Sequence, residues 1–286
     1  MILCLHHTDA DGLCSGAIVR HKFGDAVELH AIDYSYPIPW DKIKAAETVI
    51  IVDFSLPKND MLKILRAKKD KFLWIDHHIS AMRETADIDN LNGLRDIEEA
   101  ACVLTWMYFF PDQDVPHAVR LIGDRDIWRF AYDETKDFCE GLYPAETTAG
   151  DDSLWKPILH DDQATIDKFI EHGKILFNAR LKEIERRVKS SGLKTTFRGY
   201  KTMTINTSSS GDLGHYICGM GYDVAYVYSD IVIDGELHCK VTLYSDNVDV
   251  SALAKAEGGG GHKGAAGFRF IRTTRSPFPA NASAEN

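Results

Sequence analysis

Three side chains near the start of the chain, His7, Asp9 and Asp11, stand at alternating positions in His7-Thr8-Asp9-Ala10-Asp11-Gly12. Read as extended backbone, that spacing puts an imidazole and two carboxylates on one side. Such groups repel and desolvate one another unless a cation lies between them. Two further runs carry the same residue types. Ile50-Ile51-Val52-Asp53 ends in an acid, and Leu73-Trp74-Ile75-Asp76-His77-His78 ends in an acid and two imidazoles. A fourth stretch, Gly123-Asp124-Arg125-Asp126, adds two acids. His7, Asp9, Asp11, Asp53, His77 and one of Asp124 or Asp126 make four carboxylates and two imidazoles. The set holds no thiolate, which disfavours a structural zinc site. It favours Mn²⁺, Mg²⁺ or Fe²⁺. Six ligands exceed the needs of one open catalytic ion but suit two ions sharing a carboxylate. Such pairs mostly serve phosphoryl or phosphodiester hydrolysis.

Something must bring these runs together. Met1–Leu5, Val27–Ile32, Thr48–Val52 and Phe72–Ile75 are short apolar runs rich in β-branched or aromatic residues, and each reads as a buried strand. Helical stretches at Leu13–Phe23, Trp40–Ala46 and Lys58–Lys69 separate them. That alternation predicts a parallel sheet with helices on both faces. A site at the carboxyl ends of its strands follows, with Gly12 turning the chain into the first helix. Apolar helices are expected over 97–110 and from Val115 to Ile122, then a polar, loop-rich stretch over 133–162. Apolar residues from Ile166 to Val188 recur at helical spacing. They predict a long helix joining the first domain to a second, β-rich one. In that second domain, strands are expected at Thr195–Arg198, Lys201–Ile205, Val224–Ser229, Ile231–Ile233, His238–Tyr244 and Gly267–Ile271. Helices are expected around Asp212–Met220 and Val250–Ala256. The boundaries expected are 1–160, a connecting helix over 161–192, an α+β domain over 193–275 and a disordered tail over 276–286.

A second cluster is Gly258-Gly259-Gly260-Gly261-His262-Lys263-Gly264-Ala265-Ala266-Gly267. Four successive glycines cost backbone entropy. They make sense where N–H groups must approach an anion closely, and His262 and Lys263 add donors and charge.

Composition bounds the rest. The 286 residues are 44% hydrophobic and carry a formal net charge of −10. Residues 1–162 hold a net −13 and residues 163–275 a net +4. An acidic half suits a metal site and a mildly basic half suits an anion nearby. Neither has the charge expected of a long-duplex binder. No apolar run approaches a membrane span and no signal-peptide pattern opens the chain. The six cysteines have no CxxC spacing and read as reduced thiols, so a cytoplasmic protein is expected.

At these residues the sequence resembles the DHH–DHHA1 phosphoesterase superfamily. The triplet is Asp76-His77-His78, the first motif His7-Thr8-Asp9-Ala10-Asp11-Gly12, and the second Asp53 at a strand end. The last domain's signature is Gly259-Gly260-Gly261-His262-Lys263-Gly264-Ala265-Ala266-Gly267. The resemblance implies an α/β DHH catalytic domain joined by a long helix to a smaller DHHA1 domain. It implies a two-metal-ion phosphodiesterase, with Mn²⁺ the favoured ion, for short oligonucleotides, linear dinucleotides or nucleotide bisphosphates. A polyphosphate or pyrophosphate hydrolase, or a non-catalytic nucleotide sensor, are the alternatives. It further implies that His7, Asp9 and Asp53 take one ion, and Asp11, Asp53, His77 and a fourth-motif acid the other. Asp124 is preferred over Asp126 for that place. Asp53 would bridge, His78 would face the scissile phosphate and Asp76 would orient its neighbours. Gly259, Gly260, Gly261, His262 and Lys263 would hold a terminal phosphate. Tyr244 stands where many relatives carry an arginine, and would either contact substrate by stacking on a base or be a packed strand residue. Oligomeric state stays open, a homodimer included.

Overall fold

The computed structural model describes residues 1–145 and 148–272. The expected tail, 276–286, lies outside them. Two compact units divide between Phe177 and Asn178.

The first unit opens with β1 (Ile2–His6), α1 (Ala10–Phe23), β2 (Val27–Ala31), α2 (Trp40–Ala45), β3 (Thr48–Val52), α3 (Lys58–Lys68) and β4 (Phe72–Ile75). All four strands are parallel, in the order β2-β1-β3-β4. The two-residue period sorts their side chains. Leu3, Leu5, Val49, Ile51, Phe72 and Trp74 join the cluster containing Ile43 of α2 and Met61 and Ile64 of α3. Cys4, Ile50, Val52, Leu73 and Ile75 point the other way, into the cluster with Val19 of α1 and Leu104. Both faces are therefore covered, which is why the strands read as continuous apolar runs.

After β4 come α4 (Ile79–Glu84), α5 (Ala101–Phe109), α6 (His117–Asp126), α7 (Thr135–Leu142) and α8 (Asp152–Leu159). The last two correct the expectation of a loop over 133–162. Phe138 and Leu142 of α7, and Leu154, Trp155, Ile158 and Leu159 of α8, are core residues. Each helix is only about two turns long, so Gly141, Pro144 and Gly150 masked the periodicity. α9 (Gln163–Ser191) is one continuous helix. It gives Ile166 and Phe169 to the first unit's core and Ile184 and Val188 to the second's.

The second unit holds β5 (Leu193–Phe197), β6 (Tyr200–Asn206), α10 (Gly211–Gly219), β7 (Val224–Ile233), β8 (Glu236–Tyr244), α11 (Val250–Lys255), β9 (Gly260–Gly261) and β10 (Ala265–Ile271). The six strands run β5-β6-β7-β8-β10-β9. β6 and β7 pair in parallel through the α10 crossover, and the other pairs are antiparallel. α10 and the end of α9 cover one face and α11 the other. The two expected strands at 224–229 and 231–233 are one strand, because β8 pairs with β7 all the way from Ala225 to Ile233.

Candidate metal centre

The carboxyl ends of the parallel strands carry the ligand-type residues: His7 beyond β1, Asp33 beyond β2, Asp53 beyond β3, and Asp76-His77-His78 beyond β4.

The first motif is not extended. Its helix starts at Ala10, Asp9 is the N-cap, and Asp9 Oδ1 accepts the Gly12 N–H at 3.0 Å. Asp11 therefore lies in the first helical turn, aimed inward. Gly12 is helical rather than a hinge. A Cβ there would sit 2.5 Å from the His7 carbonyl oxygen, so glycine is needed for close approach. Asp11, 1% exposed, caps a distant helix. Its Oδ2 accepts the Ala101 N–H at 2.9 Å and its Oδ1 the Cys102 N–H at 2.7 Å, at the start of α5. Those bonds fix where α5 begins, several residues later than its apolar pattern does. Each carboxylate oxygen keeps a lone pair for another partner.

Asp53 has φ of 52°, a left-handed conformation that non-glycine residues adopt at a cost and that clusters at functional sites. It is 1% exposed, and neither carboxylate oxygen has a hydrogen-bond partner. The nearest donors stand off, His77 Nε2 at 3.3 Å, His7 Nδ1 at 3.7 Å and His78 Nδ1 at 3.9 Å. An unsatisfied buried carboxylate is costly. Burial lifts the Asp53 carboxyl well above the usual range.

Asp76 gives one oxygen to its neighbours, while its buried Oδ2 has no hydrogen-bond partner. Its Oδ1 accepts the His77 and His78 N–H groups at 2.8 and 3.2 Å and His78 Nδ1–H at 2.7 Å. Asp76 raises the pKa of His78 to about 9. Asp53, then Asp9, raise that of His7 to about 10. Burial, then the Asp53 charge, drives Asp11 up to about 8. Burial, then Asp11, drives Asp126 up to about 7. Burial also raises Asp9, but the bonds from His7 and the Gly12 N–H outweigh it and bring the group to about 2.

The preference for Asp124 over Asp126 is corrected by the course of α6, which continues through both acids. Asp126 Oδ2 stands 3.3 Å from His77 Nε2. Asp124 faces away. It accepts the Ala131 N–H at 2.9 Å, the Tyr132 N–H at 3.4 Å and the Thr135 hydroxyl at 2.5 Å. It thereby ties down a strained exit from α6, in which Trp128 and Phe130 have φ of 57° and 52°. Gly123, read as part of a ligand motif, is a packing residue. A Cβ there would lie 2.9 Å from Val103 and 3.1 Å from Ala100, so its absence lets α6 close on α5.

Three overlapping groups result: His7, Asp9 and Asp53; Asp53, His77 and His78; Asp11, His77 and Asp126. In each, the potential ligand atoms lie within 4.8 Å of one another. Asp53 and His77 each belong to two. The donor set is imidazole and carboxylate, and at its centre are carboxylate oxygens that the protein leaves unpaired. The residues fit divalent cations, which the three groups would hold, with Asp53 and His77 common to two groups each.

Asp33 was missed. Its Oδ2 lies 3.9 Å from His7 Nε2 and accepts the Thr8 hydroxyl at 3.5 Å. The signal was present, since Val27 to Asp33 is a fourth apolar run ending in an acid, but His30 within the run obscured it.

In the second unit, sterics explain part of the glycine run. A Cβ on Gly259 would sit 2.1 Å from the Gly267 carbonyl oxygen. One on Gly261, which has φ of 142°, would lie 2.6 Å from Ala266 Cα. Gly260 would meet nothing within 4 Å. His262 and Lys263 are exposed, and the turn is closed by the His262 N–H on the Ala265 carbonyl at 2.8 Å. Tyr244 ends β8 with its ring packed on Gly214, where a Cβ would lie 2.3 Å from Tyr244 Cγ.

Residues 1–118 match the DHH family, N-terminal domain. The match includes the Asp76-His77-His78 triplet and ends before most of α6, so Asp126 joins the centre from beyond it. The chain is 28% identical over 290 residues to the uncharacterized protein R106 of Acanthamoeba polyphaga mimivirus, covering 94% of this chain and 67% of that one. Its fold is similar to that of a pGpG-specific phosphodiesterase from Vibrio cholerae, with a TM-score of 0.54 and 12% identity over 95% of this chain and 94% of that one. It is also similar to RecJ of Thermus thermophilus, solved in complex with Mn²⁺, with a TM-score of 0.52 and 16% identity over 95% of this chain and 50% of that one.

Proposed function

We propose that this chain is a divalent-metal-dependent phosphodiesterase acting on short nucleotides: oligoribonucleotides of a few residues, linear dinucleotides or nucleotide bisphosphates. The observation that carries the reading is Asp53, a buried, left-handed carboxylate with both oxygens unpaired, shared by two ligand groups. Two bound cations would supply a nucleophilic hydroxide near neutral pH and neutralise charge on the phosphoryl oxygens. Mn²⁺ is the favoured ion.

The chain's own residues have distinct parts in this reading. His7, Asp9 and Asp53 hold one cation, and Asp11, Asp53, His77 and Asp126 the other. His78, oriented by the bond from its Nδ1–H to Asp76, faces the scissile phosphate and stabilises its developing charge. The glycine run with His262 and Lys263 takes a terminal phosphate, while the Tyr244 ring packs on Gly214 of α10. The neighbours' names agree with the class: one fold relative is a pGpG-specific phosphodiesterase.

The test is a panel of pApA, pGpG, pAp, cyclic dinucleotides and polyphosphate with Mn²⁺. Turnover is expected on at least one linear nucleotide and none on polyphosphate. Asp53→Ala is expected to lower kcat about 10²–10³-fold, the scale on which removing a single charge-stabilising group acts, with far-ultraviolet circular dichroism unchanged. Equal rates on polyphosphate, or Mn²⁺-dependent turnover surviving in Asp53→Ala, would overturn the reading.

A further inference from the structure

A solvent-facing aromatic ring borders the metal centre, and nothing above uses it. Tyr34 follows β2 in a tight turn. Asp33 Oδ1 accepts the Ser35 N–H at 3.1 Å and the Ser35 hydroxyl at 3.3 Å, and the Asp33 carbonyl accepts the Tyr36 N–H at 2.8 Å. Thr8, next to His7, donates to the other Asp33 oxygen. The turn is thus tied both to itself and to the loop that carries the first ligand.

The Tyr34 ring lies 4.6 Å from that of Phe54 and 6.0 Å from that of His7, centroid to centroid. Phe54 follows the bridging Asp53 and is 2% exposed, whereas Tyr34 is 63% exposed. One side of the ring therefore rests on a fixed, buried support and most of the residue is open to water. A rigid, exposed aromatic ring is a stacking platform, and every nucleobase has a face to offer it. In a nucleotide only one sugar separates base from phosphate, so a ring abutting a ligand imidazole is within a base's reach of a phosphate held there.

We propose that Tyr34 is the residue that selects nucleotides over other phosphoesters, by stacking on the base of the nucleoside whose phosphate sits at the metal centre. The inference deepens the proposed function and rests on its placing a phosphate at that centre. It assigns the ring face to the contact, so the hydroxyl is dispensable.

The experiment titrates AMP and ribose 5-phosphate, in Mn²⁺, into the full chain, Tyr34→Phe and Tyr34→Ala by isothermal calorimetry. The intact chain and Tyr34→Phe are expected to bind AMP about tenfold more tightly than ribose 5-phosphate, within the range of base–aromatic stacking. Tyr34→Ala is expected to bind the two alike, with Mn²⁺ affinity unchanged in all three proteins. The assignment is overturned by an AMP preference that survives in Tyr34→Ala, by an intact chain with no such preference, or by Mn²⁺ affinity falling tenfold in Tyr34→Ala. The last result would make the ring a support for His7. Hydrolysis of pApA by the intact chain is read separately. No hydrolysis with a Tyr34-dependent AMP preference sinks the phosphodiesterase reading and upholds the platform. Hydrolysis without that preference sinks the platform alone.

Discussion

Asp53 concentrates the energetic conflict of this molecule in one side chain. The chain bends into a left-handed conformation to place a carboxylate that has no hydrogen bond and is faced by imidazoles at 3.3–3.9 Å. Around it, Asp11 and Asp126 are raised to about 8 and about 7, and His7 and His78 to about 10 and about 9. All four groups bind protons more tightly folded than unfolded. Each contributes stability that is present below its unfolded pKa and lost as pH rises through its folded one. His6, lowered to about 4 by burial, has the opposite sign, but its window closes at about 6.5, below the range of interest. The metal-free protein is therefore expected to lose stability steadily between about pH 6.5 and 9. Saturating Mn²⁺ should flatten that slope, because the cation takes over from the protons. Urea unfolding across this range, with and without Mn²⁺, checks it. A metal-free protein more stable at pH 9 than at 6.5 would contradict the electrostatics.

Elements settle how two adjacent acids divide their work. α6 is one helix, and Asp124 and Asp126, two residues apart, leave it in different directions. Asp126→Ala is expected to weaken Mn²⁺ binding by at least about tenfold with little loss of stability, since removing a ligand-shell partner has that scale. Asp124→Ala should do the reverse. It strands three donors and frees the strained Trp128–Phe130 exit, at a cost of about 2–3 kcal/mol. Calorimetric Mn²⁺ titration beside chemical unfolding separates the two effects. The glycine run invites a parallel comparison. Gly259→Ala drives a Cβ into the Gly267 backbone and should cost more than about 2 kcal/mol, whereas Gly260→Ala meets nothing and should cost less than about 1 kcal/mol. If Gly260→Ala is as stable as expected yet binds inorganic phosphate more weakly, close approach of an anion explains that glycine where packing does not.

At the scale of the molecule there are two cores. The first unit is built on a parallel sheet covered by α1 to α3 and α5, the second on a mixed sheet covered by α9, α10 and α11. Every residue of the metal centre belongs to the first. Differential scanning calorimetry is expected to resolve two transitions, of which Mn²⁺ raises only one. At a hundred times its Kd the ion adds about 2.7 kcal/mol to the unit that binds it. A single transition raised by Mn²⁺ would mean that the units unfold as one. Among the described residues, no helix is long and apolar enough to cross a membrane.

The parallel sheet was legible from residue order alone. Apolar runs such as Thr48–Val52 and Phe72–Ile75 match the observed strands, because burial on both faces leaves little choice of residue and the pattern is local. The ligand types at the strand ends were legible for the same reason: a polar residue straight after such a run stands out. What adjacency could not reveal was which oxygens remain free. Asp11 looks like an exposed motif residue but caps a helix some ninety positions away, and Asp124 looks like a ligand but anchors a loop. Asp126 meets His77 across the fold, from a helix whose Gly123 packs against Val103 and Ala100. Those assignments depend on contacts between distant segments, and hydrogen bonds made across such distances leave no periodicity in the chain. Residue types and their order along the chain determined the chemistry available; only the packing of one element on another decided which groups were left to perform it.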